Sequence, residues 1–316
     1  MKILVTGASG FLGRALIKTF SNLDDIAVVA VCRGPTSFGQ ADVQVVEIGD
    51  LLEFDNWSSI LLDIDVIIHA AGRAHIMNEN SMDPLYEFRR VNRDGTLRLA
   101  EEAAKAGVKR LIFLSSIKVN GEATLPGRPF TNLSPADPKD YYGKSKLEAE
   151  IGLLDLSKQS SLEVTILRPT LIYGDGVKGN FANLIKVLNF NIPLPLGSVN
   201  KNRRSLVGVQ NLVSLIATCI THKNAANKIF LGSDNECLST TGLLILLRRS
   251  LNSRSVLLPV PTCCLRFLGR LLKKDSYIER LLGSLEVDMT ATCTDLDWFP
   301  PESIETGLKV FNRTKS

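Results

Sequence analysis

"TGASGFLG", Thr6 to Gly13, decides how the rest of this chain is read. An apolar run, residues 3–6, leads into it, and a helical pattern, residues 11–21, leads out. Gly7, Gly10 and Gly13 have the spacing of a tight turn, a close backbone approach to phosphate, and a close helix–strand contact. Phe11 and Leu12 open the helix, whose N-terminus would face a pyrophosphate. An ordinary glycine-rich turn would show the same letters. It would not need a strand just before them and a helix just after.

Outward from this turn, the first half of the chain alternates. Runs rich in β-branched residues stand at 27–32, 43–48, 66–69, 110–115 and 164–167. Most are nearly continuous in apolar character, as in strands buried on both faces. Residues 84–106 and 141–157 carry helical periodicity, with Leu97, Ala100 and Ala104 on one face of the former. This alternation predicts an α/β chain, a doubly wound parallel sheet with helices on both sides. The second half is less regular. GDGVKGN (residues 174–180) and PLPLGSVNKNRRS (193–205) read as loops. LVGVQNLVSLIATCI (206–220) reads as a short strand and a helix, and the last hundred residues as a mainly helical lobe.

With 316 residues and 45% hydrophobic content, the chain can bury one large domain, or a domain plus a lobe. Its net charge of +4 is spread along the chain without a basic block, which argues against nucleic acid. Six cysteines without a CxxC, and three histidines, predict no metal site. They fit buried, reduced thiols in a cytoplasmic protein. No apolar stretch of a signal peptide opens the chain, and no run reaches the ~18 residues of a membrane span. TCCLRFLGRLL (262–272), followed by Lys273 and Lys274, is amphipathic and basic. Its apolar face is expected to pack on the C-terminal lobe; the rarer use is a membrane-surface contact.

Further candidate residues stand at the ends of the strands. A carboxylate after the second strand would receive the adenosine ribose. Here Cys32, Arg33 and Gly34 follow. Arg33 either pairs with a 2′-phosphate, favouring NADP, or is simply solvated. Asp50 can reach the amine of adenine while Leu51 packs on the ring; capping a helix is the competing use of Asp50. In HAAGRAH (69–75), Ala70, Ala71 and Gly72 let a dinucleotide lie against the backbone. His69 and His75 read as structural.

DYYGKSK (140–146) sets Tyr142 and Lys146 four residues apart, on one helix face. A phenol with a pKa of ~10 is a poor base at pH 7. A neighbouring ammonium and a cationic nicotinamide both favour the phenolate. Tyr142 can then exchange a proton with a sugar hydroxyl as hydride moves. Tyr141 is a weaker rival, because Ser145 stands four residues along.

TGASGFLG, HAAGRAH, VNRDGT, LSSIKVNG, YYGKSK, LRPTLIYG and RRSLVGVQNLV together resemble the extended short-chain dehydrogenases/reductases. Within them, the pattern is similar to the nucleotide-sugar epimerase/dehydratase group, UDP-glucose 4-epimerase-like members especially. The resemblance covers nearly the whole chain. It implies a Rossmann-type domain over 1–172, with later segments, about 203–235, returning to it. It also implies that 173–316 is mostly a smaller sugar-nucleotide lobe, that the cofactor is NAD or NADP, that the substrate is a UDP-sugar, and that the protein is a homodimer. By position, the glycines bind pyrophosphate and Asn92 lies near the cofactor. Ser116, Tyr142 and Lys146 are the catalytic group, with Ser116 on the sugar oxygen, and Pro169 lies beside the nicotinamide. Asn180 and Arg204 meet the nucleotide diphosphate, with Arg203 the adjacent competitor.

Departures narrow the reaction. Gln210 and Asn211 stand where an aspartate is frequent, and Arg33 replaces the usual acid. Sugar-nucleotide 4,6-dehydratases carry an acid pair after the catalytic hydroxyl. Here Ile117 and Lys118 follow Ser116, so elimination is set aside. A 4-epimerase and an NAD(P)H-dependent 4-keto reductase remain, and the resemblance ranks the epimerase first. A dinucleotide-binding sensor without catalysis would not need an intact Ser116, Tyr142 and Lys146. Lys118 itself is expected to face solvent.

Overall fold

A computed structural model describes residues 1–40, 42–74 and 81–313, without the side chains of residues 180, 276 and 313. The apolar run before the glycine turn is strand β1 (Lys2–Thr6), with Ile3, Leu4 and Val5 fully buried. The strands that follow are β2 (Ala27–Cys32), β3 (Val43–Glu47), β4 (Val66–His69), β5 (Arg110–Leu114) and β6 (Glu163–Pro169). After β7 (Leu171–Tyr173) and β8 (Arg204–Gly208) come β9 (Lys228–Gly232) and β10 (Cys237–Leu238). Seven of them form one sheet in the order β3-β2-β1-β4-β5-β6-β9, parallel throughout. The order reverses between β1 and β4. In open α/β sheets, a crevice for ligand opens there, at the carboxyl ends of the strands.

The helices are α1 (Phe11–Phe20), α2 (Trp57–Ile60), α3 (Pro84–Arg89), α4 (Gly95–Lys105), α5 (Tyr141–Gln159), α6 (Gly179–Asn189) and α7 (Val209–Thr221). Then follow α8 (Thr240–Leu251), α9 (Thr262–Leu271), α10 (Asp275–Leu282), α11 (Thr290–Leu296), α12 (Ile304–Leu308) and α13 (Val310–Arg313). α1 and α7 cover one sheet face through Leu16, Ile17, Phe20, Leu212 and Ile216. α4 and α5 cover the other through Leu99, Ala103, Ala149 and Leu153. Burial on both faces explains the continuous apolar runs. β3 departs from this, because an edge strand has one neighbour; its side chains are half-buried or exposed.

Four expectations need correction. Residues 84–106 are not one helix. Asp83 accepts from the Tyr86 amide at 3.0 Å and Pro84 takes the first turn, but a π turn at Arg90–Asp94 then separates α3 from α4. The loop expected at 174–180 ends early, since α6 begins at Gly179. The stretch after α10 is not wholly lobe. Leu285, Val287, Met289, Cys293, Leu296 and Trp298 pack into the core beneath α1 and α7. The lobe proper has its own small sheet, β10-β8-β7, and a core of Tyr173, Phe181, Leu206, Leu244 and Leu247. Nor are all the cysteines buried: Cys263 and Cys264 are exposed on α9.

Candidate active site

The glycine turn is shaped by its neighbours. Gly7 has φ +66°, and a Cβ on it would lie 2.7 Å from the Ala71 nitrogen. A Cβ on Gly13 would lie 2.2 Å from the Gly7 carbonyl oxygen. Gly10 caps α1 with no side-chain acceptor, and the first turn, with Phe11 and Leu12, holds no acid. The amides of that turn are therefore left for an external anion. Ala70 and Ala71 follow β4, with their backbone against Gly7. These residues fit a dinucleotide. Gly13→Ala is expected to raise the Kd for NAD by about tenfold or more, about 1.4 kcal/mol, with an unchanged circular dichroism spectrum. Titration calorimetry checks this, and an unchanged Kd would sink the assignment.

His69 is structural. Its ring lies 2.6 Å from the Thr6 hydroxyl and 2.9 Å from that of Thr96. Burial pushes its pKa down to about 3, so it stays neutral. His75 lies outside the described residues. Asn92 sits in the π turn, fully buried. It clamps Arg73, accepting from the amide at 2.7 Å and donating to the carbonyl at 3.1 Å, and donates to Ser145 at 3.0 Å. A Cβ on Gly72 would meet Asn92 Oδ1 at 3.1 Å and Lys146 Nζ at 3.2 Å, so these three converge. π turns recur at functional sites for this kind of reason: the wide turn re-aims one side chain.

The adenosine end differs in part from the expectation. Asp50 accepts from the Leu52 amide at 2.9 Å and pairs with Arg90 at 2.8 Å, closing a local turn. Leu51 is 8% exposed. Its side chain lies in the core under α4, where a Cβ on Gly95 would meet it at 2.9 Å. Arg33 is exposed at the end of β2.

Ser116, Tyr142 and Lys146 lie close together, between the end of β5 and the start of α5. Ser116 follows β5 and caps a short 3₁₀ turn, accepting from the Lys118 amide at 3.2 Å. Asp140 caps α5, accepting from the Gly143 amide at 2.7 Å. Gly143 lets the helix approach the Ser116 loop; a Cβ there would lie 2.8 Å from the Lys118 carbonyl oxygen. Lys146 is buried and donates to the Leu114 carbonyl at 2.9 Å. Its ammonium lies 6.0 Å from the centre of the Tyr142 ring. Burial lifts the Tyr142 phenol to about 12; Asp140 adds to this, and a hydrogen bond with Ser116 works against it. Burial lowers Lys146 to about 7, partly offset by Glu150.

Lys118 does not simply face solvent. It pairs with Asp140, lies 3.6 Å from Glu122, and sits 6.0 Å from the Tyr142 ring on its own account. Two lysines therefore flank the phenol. Helical spacing could have singled out Glu150, four residues beyond Lys146. It is buried against Arg168 of β6, with Nε–Oε1 3.0 Å, and accepts from the Ser115 hydroxyl. Arg168 also donates to Asn120 at 3.1 Å. This buried network is the floor of the site. Pro169 ends β6 beside it, buried.

In the lobe, the Arg204 guanidinium is held by the Arg280 carbonyl at 2.6 Å and the Gly283 carbonyl at 3.2 Å. Burial, then the charge of Arg280, lower its pKa. Arg203 is exposed. Asn180 is the second residue of α6, and its side chain lies outside the described residues. Asn211, the departure from an acid, donates to Asp234 at 2.7 Å, and Tyr173 donates to the same carboxylate at 2.8 Å. The acid is thus supplied from a distant position. A cavity of about 720 Å³, lined by residues such as Asp65, Lys109 and Glu163, opens at the amino ends of the strands, away from this site.

A Rossmann sheet whose cofactor crevice carries Ser116, Tyr142 and Lys146 defines an extended short-chain dehydrogenase/reductase. More narrowly, the chain belongs to the NAD dependent epimerase/dehydratase family, whose model matches residues 3–231. It is 44% identical over 307 residues to a UDP-glucose 4-epimerase of Vibrio cholerae, covering 97% of this chain and 93% of that one. It is 29% identical to an N-acetyl-alpha-D-glucosaminyl-diphospho-ditrans,octacis-undecaprenol 4-epimerase of Escherichia coli O157:H7, covering 82% and 76%. In fold, it resembles a UDP-glucose 4-epimerase of Thermotoga maritima solved with UDP-glucose. The TM-score is 0.80 at 22% identity, with 100% and 99% coverage.

Proposed function

We propose that this chain is a 4-epimerase of UDP-hexoses or UDP-N-acetylhexosamines, acting through a 4-keto sugar. The observation that carries this is the disposition around Tyr142. The phenol stands between Lys146 and Ser116, while Ile117 is buried and Lys118 is tied to Asp140. The site therefore offers proton exchange at one hydroxyl, and the two positions after Ser116 supply no acid pair for elimination. The Vibrio cholerae relative supports the reaction, and the Escherichia coli relative supports an N-acetylated sugar and a role in surface polysaccharide. The same reading makes the chain a cytoplasmic homodimer.

A nicotinamide cofactor in the crevice supplies a reversible hydride acceptor. The glycine turn and first-turn amides hold its pyrophosphate, and Asn92 fixes the loop beside it. Ser116 orients the sugar oxygen, and Tyr142 takes the C4 hydroxyl proton and returns it. Lys146 contributes positive charge that favours the phenolate. Arg204 and Asn180 take the diphosphate. The second reading, 4-keto reductase, is favoured by the exposed Arg33. Mass spectrometry of the denatured protein separates them: retained NAD supports the epimerase, and bound or exchangeable NADP supports the reductase.

Lys118 has a defined part in this reading. Its charge compensates Asp140, and Asp140 raises the Tyr142 pKa. The oxidising step needs the phenolate, so the rate falls as pH drops below the working pKa. Lys118→Met leaves Asp140 uncompensated and moves that acid limb to higher pH. The rate on the limb falls about tenfold for each pH unit moved, in kcat more than in KM. Lys118→Arg restores the profile. A Met variant with an unmoved limb would disprove this part.

A further inference from the structure

The apolar face of α9 is not covered by the lobe. Only Leu265 and Gly269 of α9 are buried. The helix rests on α10 along that narrow seam, where a Cβ on Gly269 would lie 2.7 Å from Ile278. Phe267, Leu268, Leu271 and Leu272 are 69%, 45%, 68% and 62% exposed. At 100° per residue they fall within one arc of about 140°. Residues 262–274 hold four cations and no acid. Arg266 is engaged by Glu279 at 3.0 Å. Arg270, Lys273 and Lys274 are exposed beside the apolar arc. Lys273 has φ +54°, and the Lys274 amide donates to the Gly269 carbonyl at 2.8 Å, so a tight turn fixes both lysines at the tip of the α9–α10 hairpin.

We propose that this hairpin docks the protein on an anionic lipid surface. Phe267, Leu268, Leu271 and Leu272 enter the headgroup boundary, and Arg270, Lys273 and Lys274 meet the lipid phosphates. An apolar arc flanked by cations that pair with no acid among the described residues is the pattern of a helix that lies in the interface plane. A second copy of the chain does not fit as well. A two-fold contact would set the same cations against each other. The docking edge also borders the substrate side of the molecule: Arg280 of α10 pairs with Glu122 at 3.3 Å, and its carbonyl holds Arg204.

The test is co-sedimentation of the whole protein with vesicles of phosphatidylcholine, with and without phosphatidylglycerol. The protein pellets with the anionic vesicles at low salt, not with phosphatidylcholine alone, and is released at about 0.5 M salt. Lys273→Gln with Lys274→Gln weakens partitioning by about tenfold or more. Phe267→Ser with Leu271→Ser also weakens it, and both double variants keep the thermal midpoint. Failure to pellet at low salt overturns the proposal, as does binding that neither double variant changes. Concentration-dependent self-association abolished by the serine variant, without vesicle binding, assigns the face to a second copy instead.

Discussion

Tyr142→Phe lowers the epimerisation rate by about 10²- to 10⁴-fold, the range of a positioned general acid–base group. The substitution removes one oxygen and little else. The ring keeps its edge contact with Phe88, 6.3 Å between centres, and its place between the two lysines. Cofactor affinity, set by the glycine turn, is expected to stay within a few-fold, so the loss appears in kcat. Pre-steady-state and steady-state assays on the same preparation check this. An unchanged turnover would remove Tyr142 from the chemistry and revive the reading of a binding protein without catalysis.

Arg168→Met destabilises the fold by about 3–5 kcal/mol, because it strands the buried Glu150 carboxylate. The side chains of Arg168 and Glu150 are 5% and 2% exposed. Without the guanidinium, Glu150 keeps the Ser115 hydroxyl but loses its charge partner, and Asn120 loses a donor. The melting midpoint falls by about 10 °C. Arg168→Met with Glu150→Leu recovers most of this, since an apolar pair of similar volume avoids the unpaired charge. Activity does not recover in step, because Glu150 also supports the charge on Lys146. Differential scanning calorimetry of the single and double variants decides; a single variant as stable as the parent would contradict the buried-pair argument.

The parts of the site that local spacing determines were legible. Gly7 and Gly13 report a turn that leaves no room for a Cβ, and Tyr142 and Lys146 share a helix face by arithmetic. Parts that depend on distant partners were not. Lys118 and Asp140 are 22 positions apart, so nothing local announces their pairing. Arg168 sits near the end of β6, and its partner Glu150 lies on α5. The π turn at Asn92 leaves no trace in a 3.6-residue periodicity. The apolar stripe of α9 was read correctly as a stripe, but periodicity does not say what covers it. β9 was not read as a strand, although about 203–235 was expected to return to the large domain.

The reaction proposed for this site inverts a sugar at C4 without net consumption of reductant. The direct measurement is incubation of the purified protein with UDP-N-acetylglucosamine and with UDP-glucose, without added NADPH, followed by proton NMR of the products. The expected result is conversion of at least one to its C4 epimer, with the bound cofactor unchanged in amount and redox state at the end. No conversion of either, with stoichiometric loss of added NADPH on a UDP-4-keto-6-deoxy sugar, would contradict it and establish the reductase.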